Sequence, residues 1–510
     1  GQGLRHAGRG RGGVPVGANV WGQKVTTMSL HLLDFADQRR TAALASIDVE
    51  SRAQRGQYFT PRSVARIIAG LFRVPESRSI RVLDPGAGSG ILSAALVDRL
   101  RIERSDAEVH IVAVENDSHL HSALSEMLAE LAVVEGVTTE LVDADFLPWA
   151  LSTDQRFDIV VQNPPYAKLR SGSEAQWLLR ENGIQVPNIY AAFLALGLRL
   201  LVPGGQQVAI TPRSWMNGTY YSDFRHAFVR EAGIDAIYTF ESRSRVFGDL
   251  GVLQESIIVA ATRGTFPDKV LVQASYDHNA EPSSRHVDYS EIVTPDFIHV
   301  PATEKDAEAV AWMKTHVTST LADLGLTVST GRVVDFRSRE MLHFEPVTGA
   351  VPMVNASHLR GGVVHHPIGA KKPEWFHSDP ESMAKLVVPG GAYVLVKRFS
   401  AKEEKRRIVS AVSRSEGSVA FDNKLNYIHH DGHGLDPEIA AGLALFLNST
   451  RVDEYFRVFS GHTQVNATDL RIMRFPSLEQ LRELGQNPVD DQQDIDVLVE
   501  RVLTREAVYA

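Results

Sequence analysis

Ile80-Arg81-Val82-Leu83-Asp84-Pro85-Gly86-Ala87-Gly88-Ser89-Gly90-Ile91-Leu92 runs from a strand pattern through a glycine turn into an apolar helical pattern. A strand that turns through glycines into a helix begins a βαβ crossover, the unit that builds parallel sheets. Glycines at such a turn let the backbone approach a ligand closely, and open α/β sheets bind ligands at the carboxyl ends of their strands. The spacing is not the GxGxxG dinucleotide fingerprint, and no Gly-Lys-Ser/Thr follows to make a phosphate-cradling loop. Asp84, at the strand end, can instead hold a cationic amino group.

Outward from that turn, short apolar runs alternate with helical patterns. Strands are expected at Ile80–Asp84, Val109–Glu115, Glu140–Asp143, Asp158–Gln162, Gln207–Thr211, Ala236–Phe240 and Ser256–Ala261. Helices are expected at Ile91–Leu100, Leu120–Val133, Ile189–Leu200 and Tyr220–Glu231, and Pro203-Gly204-Gly205 reads as the stop of the third and the turn into the next strand. After Phe266 the alternation fades, with turn clusters at Gly361-Gly362, Pro389-Gly390-Gly391 and Asp431-Gly432-His433-Gly434. The chain therefore divides into an open α/β domain over residues 28–265 with a mostly parallel seven-stranded sheet, an α+β domain over 266–480, and a helical, acidic tail over 481–510. Residues 1–27, rich in Gly and Arg and without an acidic side chain, are expected to be a disordered N-terminal extension ahead of Met28.

Composition excludes several functions. The 510 residues are 44% hydrophobic and 23% charged, as in an ordinary soluble globular protein, and the net charge of −9 argues against a chain that coats nucleic acid non-specifically. No cysteine is present, so disulfides, thiolate zinc sites and thiol nucleophiles are all absent, and a reducing cytoplasm fits. Methylation of carbon 5 of cytosine, which needs a thiolate to activate the ring, is closed to this chain. No apolar run of about 18 residues marks a transmembrane helix. His365-His366 and His429-His430-Asp431-Gly432-His433 lack a helical i, i+4 pair, and no metal is expected.

Asn163-Pro164-Pro165-Tyr166 follows the apolar run Phe157–Gln162. Asn163 and the Pro164 carbonyl can accept the two N–H bonds of a planar amine while Tyr166 stacks on the attached π system. Alone, the cluster serves a methylatable amine or an ordinary turn equally well. Three acidic sites stand at successive strand ends beside it. Besides Asp84, Glu115 can accept hydrogen bonds from both ribose hydroxyls, and Asp145-Phe146 offers an adenine amino group an acceptor and its ring a face.

These residues resemble, in order and spacing, the motifs of the gamma-type N6-adenine-specific DNA methyltransferases of type II restriction-modification systems. The matching segments are Gly56-Gln57-Tyr58-Phe59-Thr60-Pro61, Asp84 to Gly90, Glu115, Asp145-Phe146 and Asn163-Pro164-Pro165-Tyr166. The resemblance implies a Rossmann-like methyltransferase sheet that binds S-adenosylmethionine, followed by a DNA target-recognition domain. It places Phe59 and Thr60 over the cofactor, Asp84, Gly86, Ala87 and Gly88 by its methionine end, Glu115 at ribose, and Asp145, Phe146 and Phe193 around its adenine. Pro164, Pro165, Tyr166 and Phe247 join Asn163 around a flipped adenine. Double-stranded DNA is the implied partner, and a cognate restriction endonuclease a functional one. Thr463 to Leu470 is similar to the closing segment of the recognition domain, and the cations of Lys397–Arg407 with Arg332, Arg337 and Arg339 are candidates for DNA contact.

Three rivals share parts of this pattern. A protein-glutamine methyltransferase can use the same Asn-Pro-Pro-Tyr cluster, but has no need of the long second domain. An RNA methyltransferase requires the basic segment to read single strands. A non-catalytic DNA-binding subunit should carry a damaged motif, and both motif sets are intact.

Overall fold

The computed structural model describes residues 27–46, 59–217, 219–240, 256–294, 297–301, 303–400, 404–459, 464–489 and 491–505. All seven expected strands form: β1 (Ser79–Pro85), β2 (Glu108–Glu115), β3 (Val137–Asp143), β4 (Phe157–Gln162), β5 (Leu201–Pro212), β6 (Ala232–Phe240) and β7 (Ser256–Arg263). Along the central strands, alternate residues enter two different cores. Val82, Ile111 and Ile159 pack on one face, under the helices Ile91–Glu103 and Ser118–Ala132. Leu83, Val112 and Val160 pack on the other, with the helices Phe146–Ser152 and Ile189–Leu200. Burial on both faces explains why these strands read as continuous apolar runs rather than as polar-apolar alternation.

Two further strands, β8 (Lys269–Ser275) and β9 (Ser283–Asp288), continue the same sheet, whose order is β3-β2-β1-β4-β5-β7-β6-β8-β9. The expected count of seven is thus the inner part of a nine-stranded sheet, which runs past the expected boundary at 265. Of these, β9 is hard to read because it forms the edge. In β9, Val287 is the one buried residue, so little of its sequence is apolar. Strands β1 to β5 pair in parallel, while β7 runs antiparallel between β5 and β6. Pro203-Gly204-Gly205 lies inside β5 as a bulge: pairing with β4 jumps from Phe157 opposite Leu201 to Ile159 opposite Gln206. The helix before it still ends at Leu200, as expected.

Beyond the sheet, the chain builds a six-stranded and a five-stranded sheet with several helices, an α+β arrangement. The helical tail expected over 481–510 packs, in its described residues, onto this unit. Leu481, Leu484, Leu498 and Val499 are buried in one core with Leu443 and Phe446. Helix Pro437–Leu447 meets helix Leu478–Gly485 backbone to backbone: a Cβ on Gly442 would sit 1.9 Å from the Leu481 carbonyl oxygen. The two units touch where Arg213 Nη2 donates to the Val458 carbonyl at 2.7 Å and Asn217 Nδ2 to that of Phe459 at 2.6 Å. Of the expected N-terminal extension only Thr27 is described, as the start of a helix, Thr27–Ser46, that packs on the helices Ile91–Glu103 and Ser118–Ala132. Among the described residues, no helix is long and apolar enough to cross a membrane.

Candidate active site

Strand order reverses at β1, which lies between β2 and β4, so the helices following β1 and β4 leave a crevice at the strands' carboxyl ends. A cavity of about 210 Å³ occupies it. Its first wall is the glycine turn. Gly86, Gly88 and Gly90 have φ of 67°, 59° and 81°, a left-handed backbone that side chains oppose. The N–H groups of Gly86 and Ala87 donate to the Val114 carbonyl at 2.8 and 3.2 Å, which holds the turn against the end of β2.

Glu115 ties the same turn from the side. Its Oε2 accepts from Gly88 N–H and its Oε1 from Asp117 N–H, each at 2.9 Å. Burial raises its pKa, and these backbone hydrogen bonds oppose the rise. Each carboxylate oxygen has a second lone pair, so a ligand's hydroxyl groups can still be accepted. Nothing lies within 4 Å of where a Gly88 Cβ would be, so the turn leaves space beside Glu115.

Phe146 and Phe193, with ring centroids 4.6 Å apart, form the aromatic wall. Asp145 also lines the cavity, while its carboxylate caps the helix Phe146–Ser152 through Leu147 N–H at 3.0 Å. Phe59 and Thr60 close the opposite side, and Asn163 and Pro165 enter from the end of β4. Residues far apart in the sequence therefore meet in one place.

Three expected residues do not line this cavity. Pro164 and Tyr166 are outside its lining, with the Tyr166 ring edge-on to Tyr190 at 6.2 Å between centroids. Asp84 is fully buried beneath the turn, because its Oδ2 accepts from the Ser93 hydroxyl of the following helix at 2.6 Å. Its Oδ1 has no hydrogen-bond partner, and burial lifts its pKa from 3.8 to about 7, with the Ser93 hydrogen bonds pulling it down and Glu115 pushing it up. Phe247 lies outside the described residues, as do Gly56, Gln57 and Tyr58.

Asp84 makes a pH prediction for the protein without ligand. A carboxyl raised on folding binds its proton more tightly in the folded state. Its contribution is therefore complete below the unfolded value of 3.8 and lost as pH rises through about 7. Asp84→Asn should melt like the wild type at pH 4 and higher than it at pH 8, by on the order of a few kcal/mol. Equal melting curves at both pH values would show that Asp84 ionises without cost.

The profile of the Eco57I restriction-modification methylase family matches residues 105–247. The type II methyltransferase M.BsuBI of Bacillus subtilis is 38% identical over 481 residues, which cover 89% of this chain and 95% of that one. The type II methyltransferase M.PstI of Providencia stuartii is 36% identical over 508 residues, covering 94% and 99%. This chain belongs to the type II restriction-modification methyltransferases. The fold itself is shared with the type IIL restriction-modification enzyme MmeI, at a TM-score of 0.52 and 11% identity over 93% of this chain and 73% of that one.

Sequence reading missed residues that support the methyltransferase's cavity from behind. Gln162, buried at the end of β4, donates from Nε2 to Gln207 Oε1 on β5 at 2.9 Å. Gly197 makes room for this pair, since a Cβ there would lie 2.1 Å from Gln207 Oε1. A glutamine closing an otherwise apolar strand was the visible signal. Behind Tyr166, Tyr190 stacks on Tyr221 at 5.9 Å, and Asn188 Nδ2 donates to the Tyr221 hydroxyl at 2.8 Å.

The second unit alters two further expectations. The basic run is largely spent on the protein itself: Lys397 pairs with Glu404 at 2.7 Å, Arg406 donates to Gln492 and to the Ser449 carbonyl, and Arg407 is fully buried. Arg398 donates to the Asn423 carbonyl at 3.1 Å and stands with Arg471 and Tyr220 on a second cavity between the two units. Among the candidate base readers, Arg332 donates to the carbonyls of Lys385 and Val387, whereas Arg337 lies over the ring of the exposed Phe336. His366, singled out in the sequence, meets His358 and Glu374 with ligand atoms within 4.8 Å. Asn355 N–H donates to His358 Nδ1, so Nε2 carries the proton and donates to Glu374 Oε1 at 2.7 Å. The nitrogen a metal would need is therefore engaged in holding this loop together.

Proposed function

We propose that this methyltransferase transfers a methyl group from S-adenosylmethionine to N6 of an adenine in double-stranded DNA, as the modification partner of a cognate restriction endonuclease. The observation that carries the reading is that Asn163 and Glu115, ends of two strands flanking β1, line one cavity with the glycine turn. Glu115 would accept the ribose hydroxyls, Phe146 and Phe193 would pack on the cofactor's adenine, and Asp145 would accept from its amino group. Gly86, Ala87 and Gly88 would border the methionine end, and buried Asp84 would supply negative charge beneath it. When bound, the cofactor supplies a methyl group on a positively charged sulfur, open to direct displacement by a neutral nitrogen.

The target amine sits inside a base-paired stack, so the enzyme must extrude the nucleotide to reach it. Asn163 Oδ1 and the Pro164 carbonyl would accept the two N6–H bonds and draw the nitrogen towards tetrahedral geometry, while Tyr166 and Phe247 hold the ring. No thiolate, metal or strong general base is required, because the methylated N6, positively charged after transfer, is acidic enough to release its extra proton to water; the rate would come from orientation and exclusion of water during transfer. The α+β unit, residues 266–480 with the packed helices that follow, would read the target sequence, with Arg337 and Arg339 as base readers and Arg398 and Arg471 facing the strand.

The test is to express the chain in cells lacking adenine methylation and sequence their DNA by a method that detects N6-methyladenine. One short methylated motif is expected. DNA without N6-methyladenine, or label from tritiated cofactor passing to protein or RNA alone, would sink the reading.

A further inference from the structure

Thr60 and Asn163 are 103 residues apart in sequence and joined by a hydrogen bond: Asn163 Nδ2 donates to Thr60 Oγ1 at 3.0 Å. We infer that Thr60 is a positioning residue for the methyl-transfer step, holding the Asn163 carboxamide by its nitrogen end so that the carbonyl end meets the substrate amine. This deepens the adenine reading above and rests on it. The resemblance to the family assigns Thr60 to the cofactor instead, so the two roles predict different measurements.

The argument begins with the two ends of an amide. Its oxygen accepts and its nitrogen donates, and rotation by a half turn exchanges them at little steric cost. An amine about to be methylated presents N–H donors. If the nitrogen end of Asn163 faced it, donor would meet donor and the nucleophile would be pushed away. With the nitrogen end held by Thr60 Oγ1, the amide presents its carbonyl end to the amine.

A restraint of this kind works only if its anchor is rigid, and Thr60 has one. Its side chain is 4% exposed. Two residues on, helix Arg62–Gly70 buries Val64, Ala65, Ile68 and Ala69 against the sheet. Just past that helix, Arg73 N–H donates to Gln206 Oε1 at 2.8 Å, and Gln206 Nε2 returns a bond to the Arg73 carbonyl at 2.7 Å. On the other side, Asn163 follows Gln162, which is pinned to Gln207. The hydrogen bond thus joins two fixed parts of the framework across the cavity.

The experiment compares Thr60→Val, which keeps the shape and removes the acceptor, with Thr60→Ser, which keeps the acceptor. Steady-state kinetics on the target duplex are set beside cofactor binding by calorimetry. Thr60→Val should lower kcat by about 10- to 100-fold and leave the cofactor Kd within about twofold, whereas Thr60→Ser should keep wild-type kcat. A weaker cofactor Kd with kcat retained would overturn the inference and leave Thr60 a cofactor residue, and unchanged values for both would overturn it as well. If melting curves show that Thr60→Val does not fold, Thr60→Ala carries the same comparison against Thr60→Ser. Failure of the adenine reading is separately visible, because the wild type would then put no methyl group on adenine N6.

Discussion

Asn163→Ala is expected to lower methyl transfer to duplex DNA by at least about 10²- to 10³-fold, the loss typical of removing one preorganised polar group at a reacting centre. Cofactor affinity should stay near wild type. The two effects separate because of where Asn163 sits. It reaches the cavity from the end of β4, whereas the groups assigned to the cofactor come from the ends of β1 and β2, from Asp145 and the helix starting at Phe146, from Phe193 on helix Ile189–Leu200 and from the segment before helix Arg62–Gly70. Truncation also frees Thr60 Oγ1 of its partner, but that cost falls on the folded protein before and after substrate binds, so it leaves kcat alone. The measurement is single-turnover methylation with tritiated cofactor, beside calorimetric cofactor binding by the same preparation. Wild-type turnover would remove Asn163 from the reacting centre, and a parallel loss of cofactor affinity would make it part of the cofactor site. The change should not prevent entry of the base, so a 2-aminopurine at the target position should still brighten on binding.

Much of this site was legible because its chemistry lies at strand ends, and strand ends are where apolar runs stop. Glu115, Asp143 and Gln162 each close a strand, Asp84 stands one residue before the end of β1, and the turn residues after them carry the special backbone or the polar groups. What stayed hidden were relations between segments. The sequence gives Thr60 and Asn163 no reason to be joined across 103 residues, nor Gln162 and Gln207 a reason to pair beneath Gly197. Asp84 shows the converse limit. Its type and position promised a cation-binding group, but the sequence could not say that the carboxylate turns inward to Ser93 and so loses contact with the cavity. Beyond Phe266 the signal weakened because many of the strands there are short. Trp375–Phe376 and Val387–Val388 are two residues long, too brief for a period to register.

Glu115→Ala is expected to weaken S-adenosylmethionine binding by about 100-fold or more, because one carboxylate serves two structures at once. On the proposed reading its loss would remove the acceptor for two ribose hydroxyls, and hydrogen bonds to a charged group are worth roughly 1.5–3 kcal/mol each. It also strands the N–H groups of Gly88 and Asp117, which now end on Oε2 and Oε1. Those groups hold the left-handed glycine turn against β2, so the cavity should lose its shape before any ligand arrives. The apo protein should therefore melt lower, separating this effect from a plain loss of ligand contacts. Glu115→Gln distinguishes the two contributions. Its single carbonyl oxygen can serve Gly88 or Asp117 but not both, since the amide nitrogen then faces a donor. Melting should recover part of the way towards wild type while cofactor affinity stays weak. Calorimetry and thermal denaturation on the three proteins decide the matter. Wild-type cofactor affinity in Glu115→Ala would place the ribose elsewhere, whatever the melting curves show.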